Sequence, residues 1–292
     1  MNSEERALTF ECQGSWLYGI LHLPQHIRSK GVLIVVGGPQ YRVGSHRQFT
    51  LLARHLAACG TPVMRFDCRG MGDSEGESRT FEEMEEDICC AIDTFLNEVP
   101  ALNQLVIWGL CDAASAALFY AHRDKRVTGL VLLNPWVRTD HGAAKVYLKH
   151  YYKARLFQPE LWNKIRQGNF SYGKAVRSLS QIVGSVLKEK KEKMMAGNAD
   201  NGEPRTTVPL PLPERMLAGL SRFNGKTLLI LSGNDLTAQE FSDVVKGSVE
   251  WQRILASPDV SRQDLPEANH TFSRREWKDQ VTTWTNGWLQ SW

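Results

Sequence analysis

The chain lacks several features that would assign a protein to a class at once. No run approaches the roughly 18 consecutive apolar residues that a membrane-spanning helix needs. The segment Met1–Arg6 contains nothing like the apolar core of a signal peptide. The formal net charge of +3 is too small to favour nucleic acid or a membrane surface as a partner. We therefore expect a cytoplasmic protein that binds no nucleic acid and spans no membrane.

Signatures of metal sites and disulfide frameworks are missing as well. The 8 histidines form no His-Glu-x-x-His motif and no Cys/His cluster, so we expect neither a metal ion nor another cofactor. The 6 cysteines form no Cys-x-x-Cys pair, and in a reducing compartment they should remain free thiols. These cysteines are Cys12, Cys59, Cys68, Cys89, Cys90 and Cys111.

What is present is the pattern of an α/β protein. The chain has 292 residues, of which 42% are hydrophobic and 23% charged, as in ordinary globular proteins. Short apolar runs alternate with helical spacing, which predicts a mostly parallel sheet with helices on both faces. The predicted strands are Ala7–Glu11, Ser15–Leu23, Val32–Val36, Pro62–Phe66, Leu105–Trp108, Val127–Leu133, Thr227–Leu231 and Ser261–Leu265. The predicted helices are Phe49–Ala58, Thr80–Val99, a segment after Cys111, Ala238–Val245 and Ser273–Leu289.

One long segment interrupts this alternation. Residues 136–223 contain few strand-like runs and many aromatic side chains among lysines and arginines. We interpret this segment as a helical lid inserted into a core formed by residues 1–135 and 224–292. The alternative is a structural cap whose aromatic residues pack inward, and we expect that role for most of them.

The most informative stretch is Val106–Ala116. A β-prone apolar run meets Gly109, Cys111 follows, and a string of small residues with good helix propensity comes next. A strand that turns sharply into a helix needs small neighbours, and it holds the side chain at the bend above the sheet. This is the arrangement of a nucleophile elbow. The alternative is that Cys111 is a small buried apolar residue, as most cysteines are.

A thiol nucleophile needs a base, and the base needs an acid that orients it. Asp235 lies just after the predicted strand Thr227–Leu231, and His270 lies between the last strand and the last helix. Each has an ordinary alternative role, since such an aspartate often forms a turn and such a histidine is often solvated. Together, however, the three residues occur in the order nucleophile, acid and histidine, each where a strand gives way to a loop.

With these residues in place, the chain resembles the α/β-hydrolase superfamily. The segment Gly109–Ala113 is similar to the Gly-x-Ser-x-Gly elbow, with Cys111 in the serine position and Ala113 in place of the last glycine. The segment Asp67–Gly76 matches the Asp-x-Arg-Gly-x-Gly-x-Ser-x-Gly signature of the superfamily. The segment Val36–Pro39 resembles its His-Gly-Gly-Pro oxyanion loop, with Val36 replacing the histidine.

A narrower resemblance is carried by Gly37–Phe49 together with the cysteine elbow. These segments are similar to the exosortase A system-associated hydrolase 1 group, bacterial proteins whose genes accompany exosortase and exopolysaccharide loci. That resemblance does not identify a substrate. The acyl group, the leaving group and the oligomeric state stay open at this point.

The resemblance implies a set of roles. Cys111 would attack an acyl carbon, His270 would be the base, and Asp235 would hold the histidine tautomer. The oxyanion would bind the backbone N–H of Asp112 and that of Gly38, with the N–H of Gln40 as the fallback. The Asp112 carboxylate disfavours a neighbouring thiolate, and its alternative role is favourable charge in the first turn of a helix.

These roles predict an acyl hydrolase or acyltransferase that acts on an ester or thioester of a small molecule. The alternative is a catalytically inactive member of the fold that binds a small molecule or a partner. A peptidase ranks last, because no sequence feature indicates a pocket for a peptide amine.

Overall fold

The computed structural model describes residues 3–38, 40–138 and 210–292. Within this part of the chain, 8 strands form one sheet in the order β1-β2-β4-β3-β5-β6-β7-β8. The two pairings made by β2 are antiparallel, and the others are parallel. The strands are β1 (Glu4–Cys12), β2 (Ser15–Leu23), β3 (Lys30–Val35), β4 (Val63–Phe66), β5 (Gln104–Leu110), β6 (Val127–Leu133), β7 (Lys226–Asn234) and β8 (Val260–Asn269).

The inner strands are buried on both faces, as continuous apolar runs predict. Every residue of β3 is buried, and its side chains alternate between two apolar clusters. The first hairpin, β1 and β2, forms an antiparallel edge of the sheet. Its turn is formed by Gln13 and Gly14, which both have positive φ angles, at 50° and 76°. Two consecutive positive φ angles match the twist of the flanking strands.

Helices cover both faces of the sheet. The helices of the described residues are α1 (Gln48–Ala58), α2 (Glu85–Glu98), α3 (Asp112–Tyr120), α4 (Leu212–Arg222), α5 (Leu236–Lys246), α6 (Val249–Leu255) and α7 (Arg275–Leu289). The long helices α1 and α7 pack on one face with Val32 and Ile34, and α2, α3 and α5 pack on the other with Leu33 and Val35. No helix of the described residues is long and apolar enough to cross a membrane.

Two details differ from the helices expected from the sequence. The pattern over Thr80–Val99 predicts one helix, but a 3₁₀ turn at Phe81–Glu83 precedes α2, which begins at Glu85. A capping box is present on that turn, because the Thr80 side chain accepts the Glu83 N–H and the Glu83 side chain accepts the Thr80 N–H. The short helix α6 was not predicted, although the Ser248 hydroxyl caps it by accepting the Trp251 N–H.

Most of the predicted lid, residues 136–223, lies outside the described residues. Its last helix, α4, is described and packs against α3. A Cβ atom added to Gly219 would lie 2.2 Å from the Leu118 carbonyl oxygen, so the two backbones are in close contact there. The lid and the domain boundaries at 135 and 224 remain predictions.

Candidate active site

The candidate site is built on the turn between β5 and α3. Cys111 stands at this turn with φ 63° and ψ −124°, a conformation that is strained for any residue other than glycine. Gly109 makes the turn possible, because a Cβ atom there would lie 2.7 Å from the backbone of Ala113. The elbow predicted from the sequence is therefore present in the backbone. Its strain holds the Cys111 side chain at the carboxyl edge of the sheet.

The Cys111 backbone is tied to the next strand. Its N–H donates to the carbonyl of Leu133 at the end of β6 (2.8 Å), and its carbonyl accepts the Trp136 N–H (3.2 Å). The Cys111 side chain is partly exposed, whereas Cys12 and Cys68 are buried. Burial raises the pKa of both buried thiols. Accessibility therefore separates Cys111 from these two cysteines.

His270 and Asp235 meet beside this cysteine. Asp235 follows β7 and caps α5, where its carboxylate accepts the N–H groups of Thr237 and Ala238 (3.2 Å each). The same carboxylate lies 2.8 Å from Nδ1 of His270. The His270 imidazole also interacts with the Cys111 side chain, which raises the pKa of His270. The structure thus brings together the three residues that the sequence proposed, from three distant loops.

The electrostatics of this cluster favour a charged imidazole. The hydrogen bond that the Asp235 carboxylate accepts and the interaction with the Cys111 side chain raise the pKa of His270 to about 10, and they outweigh the desolvation that acts in the opposite direction. His270 is therefore an imidazolium at neutral pH. A cation beside a cysteine favours its thiolate form, which is the nucleophilic one.

Asn134 supports the site and was not predicted. It follows β6, is fully buried and has a positive φ angle of 44°. Its side-chain amide donates to the Ser232 hydroxyl (2.8 Å) and to the His270 carbonyl (3.1 Å), and its oxygen accepts the Ser232 N–H (2.9 Å). It therefore joins the end of β7 to the histidine loop. The signal in the sequence was a polar residue directly after a buried strand.

Two of the three expected oxyanion donors, the N–H groups of Gly38 and Gln40, have partners already. The Gly38 N–H donates to Oδ2 of Asp112 at 2.7 Å, so a side chain occupies the place expected for a substrate oxygen. The fallback donor, the Gln40 N–H, donates to the Gly38 carbonyl at 2.7 Å. Pro39 lies outside the described residues.

The Asp112 carboxylate spans the gap between the β3 loop and α3. Besides the Gly38 N–H, it accepts the Ala113 N–H at 3.0 Å. Burial raises the pKa of Asp112, while those two N–H groups and the charge of His270 favour the ionised form. The predicted role of charge in the first helical turn is present, since Asp112 is the first residue of α3. Its contact with Gly38 was not foreseen.

The Asp67–Gly76 segment is held by ion pairs and backbone hydrogen bonds. The Asp67 carboxylate accepts the N–H groups of Arg42 (2.6 Å) and Asp73 (3.2 Å), and it forms an ion pair with the Arg42 guanidinium. Arg69 forms ion pairs with the buried Asp87 and with Glu86. These contacts fasten the segment to the loop after β3 and to α2. Within the described ranges, no group of three or more Cys, His, Asp or Glu side chains could hold a metal ion.

Comparisons with known proteins agree with this architecture. The family model described as serine aminopeptidase, S33, matches residues 28–272. Similar solved structures include an esterase of Pyrococcus furiosus, with 15% identity, 99% of this chain and 93% of that chain covered, and a TM-score of 0.65. A thermostable carboxyl esterase of Bacillus coagulans has 15% identity, 98% and 97% coverage and a TM-score of 0.62. A dienelactone hydrolase of Anabaena variabilis has 14% identity, 99% and 98% coverage and a TM-score of 0.59. No curated protein matches the chain.

Proposed function

The chain belongs to the serine aminopeptidase S33 family of α/β-hydrolases, and from this we propose that it hydrolyses or transfers the acyl group of an ester or thioester through Cys111. The observation that carries the proposal is the pairing of His270 with Asp235 beside Cys111, which stands at a strained elbow. The family description names a serine enzyme. A cysteine at the elbow retains covalent catalysis, because a thiolate is a strong nucleophile.

The proposed reaction has two stages. The Cys111 sulfur attacks the acyl carbon, and the electron pair of the C=O double bond moves to the oxygen. When the C=O bond re-forms, the leaving group departs with a proton from His270, and a thioester with Cys111 remains. His270 then takes a proton from water, or from an acceptor alcohol or thiol, which attacks the thioester and releases the cysteine. Asp235 holds the imidazole with Nδ1 toward its carboxylate.

The oxyanion of each stage needs hydrogen-bond donors. We assign this role to the N–H groups of Asp112 and Gly38, with Gln40 as the fallback. Losing one such donor typically raises the barrier by ~2.7–4 kcal/mol. Since Asp112 occupies the Gly38 N–H in the structure, this donor becomes available only when the carboxylate leaves it.

Several finer points belong to the same proposal. The substrate is a small acyl compound, and the resemblance to the exosortase A-associated group suggests a bacterial, cytoplasmic enzyme linked to exopolysaccharide production. A second candidate is a binding protein of the same fold without catalytic activity. The carboxylate at the Gly38 N–H favours this alternative, because it fills a position that catalysis needs.

The experiment that separates the two candidates is detection of the acyl-enzyme. The protein is mixed with p-nitrophenyl acetate and with acyl-CoA thioesters, quenched in acid within the first turnover, and digested for mass spectrometry. An enzyme acquires one acyl group on the peptide that contains Cys111, and Cys111→Ala does not. Cys59 is partly exposed, as Cys111 is, so Cys59→Ala is the matched control and should acquire the acyl group normally. Acyl transfer to none of the thiols across the panel would support the binding protein.

A further inference from the structure

The Asp112 carboxylate is positioned as an anion bound at the candidate oxyanion hole. Its Oδ2 accepts the Gly38 N–H at 2.7 Å, and its Oδ1 accepts the Ala113 N–H at 3.0 Å at the start of α3. Backbone N–H groups from a loop and from a helix N-terminus are the donors that such a hole uses. The protein therefore supplies its own negative oxygen to a donor expected to stabilise the substrate's oxygen.

The backbone around the carboxylate leaves room for it. A Cβ atom added to Gly37 would lie 1.9 Å from Oδ1 of Asp112 and 2.7 Å from the Ala113 nitrogen. Any other residue at position 37 would have to displace the carboxylate or the loop. Gly37 thus allows the loop after β3 to close over the Asp112 side chain.

An oxyanion and this carboxylate cannot share the Gly38 N–H. Two negative oxygens at that donor would repel each other. We propose that the Asp112 carboxylate is the resting occupant of the oxyanion hole and that it withdraws from the Gly38 N–H before Cys111 is acylated. This inference rests on the proposed function, since it concerns the same site.

The occupant also limits which substrates the site accepts. An acyl compound with a carboxylate next to its reactive carbon would bring a second negative charge toward Asp112. Neutral or cationic acyl groups would not meet this repulsion. Asp112 is therefore a specificity-determining residue that selects against acyl groups with an adjacent anion.

Alkylation of Cys111 tests this without any need for ester turnover. Iodoacetate and iodoacetamide differ mainly in charge, and both form a thioether with the sulfur while iodide leaves. In the wild type, Asp112 should make iodoacetate the slower reagent. In Asp112→Ala, the ratio of the iodoacetate rate to the iodoacetamide rate should rise about tenfold or more. Both rates are measured on the peptide that contains Cys111, so alkylation of the other cysteines does not contribute.

Two further variants sharpen the result. Asp112→Asn keeps an oxygen that can accept the Gly38 N–H but removes the charge, so its ratio should match that of Asp112→Ala. Asp279→Asn removes the same charge from an exposed position on α7 and should leave the ratio unchanged. If all four proteins show ratios within twofold of one another, the inference is wrong.

Ester hydrolysis provides an independent measurement. With p-nitrophenyl acetate, freeing the Gly38 donor in Asp112→Ala should raise kcat/KM by about tenfold or more, because one such donor is typically worth 10²–10³ in kcat. A fall in kcat/KM would contradict the inference, since it would make the carboxylate a contributor to catalysis. Absence of turnover in every variant would count against the proposed function, whereas the alkylation ratio would still decide the role of Asp112.

Discussion

Cys68 and Cys111 occupy comparable places in the fold and have different chemistry. Each follows a strand that pairs in parallel with β3, Cys68 after β4 and Cys111 after β5. Each has an aspartate next to it in the sequence. Cys68 is fully buried, and burial together with the charges of Asp87 and Asp67 raises the pKa of its thiol. Cys111 is partly exposed and interacts with the His270 imidazole.

The difference shows that a position at the carboxyl edge of the sheet is not enough to make a nucleophile. The two carboxylates near Cys68 form ion pairs with arginines, Asp67 with Arg42 and Asp87 with Arg69. These pairs stabilise a loop. Beside Cys111, Asp235 orients a histidine instead. The partner of the carboxylate therefore distinguishes the structural site from the candidate active site.

The largest expected effect separates the two cysteines directly. Cys111→Ala should lower kcat for an ester substrate by about 10⁶-fold, as removal of a nucleophile does in comparable triads, while leaving the free energy of unfolding nearly unchanged. Cys68→Ala should leave kcat within a few-fold and reduce the free energy of unfolding by about 1–2 kcal/mol, because it opens a small cavity. Steady-state kinetics and urea denaturation of both variants check this. Similar losses of activity in the two variants would remove the distinction.

The next effect concerns the orienting carboxylate. Asp235→Asn should lower kcat by about 10⁴-fold, because an amide does not hold the imidazolium as a carboxylate does. Asparagine is as good as aspartate at a helix N-cap, so α5 should keep its cap and the protein its thermal midpoint. Kinetics and thermal unfolding measured on the same preparation distinguish the two roles. A large drop in the melting temperature with activity retained would show that Asp235 only caps the helix.

A smaller effect, on the free energy of unfolding, is expected at the ion pairs of Arg69. Asp87→Ala leaves the buried guanidinium of Arg69 without its buried partner, which typically costs about 3–5 kcal/mol of stability. Glu86→Gln breaks the other ion pair of Arg69, where the glutamate side chain is 53% exposed, and should cost at most about 1 kcal/mol. Urea denaturation of the two variants gives both values. Equal losses would mean that burial does not set the strength of these pairs.

Much of this comparison could be predicted from the sequence. The apolar runs Val32–Val36 and Val127–Leu133 identify buried strands, because a strand covered on both faces has no polar alternation. The elbow at Cys111 can be recognised in the sequence because Gly109 and the small residues after it allow the close contact of β5 with α3. The order of Cys111, Asp235 and His270 points to the site for a related reason, since parallel strands bring their carboxyl ends to one edge.

Other features depend on distances that no local pattern contains. The contact between Asp112 and Gly38 joins the start of α3 to a loop 74 residues earlier, and it exists only because β3 and β5 are neighbours in the sheet. The role of Asn134 likewise depends on the loop of His270, which follows 136 residues later. The break at Met84 was missed for another reason: the apolar stripe continues through it, so the pattern does not show where the helix begins.

The smallest expected effect tests whether His270 is charged. The pKa of His270 is raised to about 10 in the folded protein, while an unfolded histidine titrates near 6.5. Its contribution to stability is therefore complete below about pH 6.5 and is lost as the pH rises through about 10. The stability difference between wild type and His270→Asn, measured by urea denaturation, should be larger at pH 6 than at pH 10.5. Titration of the groups that do not interact with His270 is common to both proteins and cancels. A difference that does not change with pH would mean that the imidazole is neutral, and that Cys111 lacks the cation that we expect to keep it reactive.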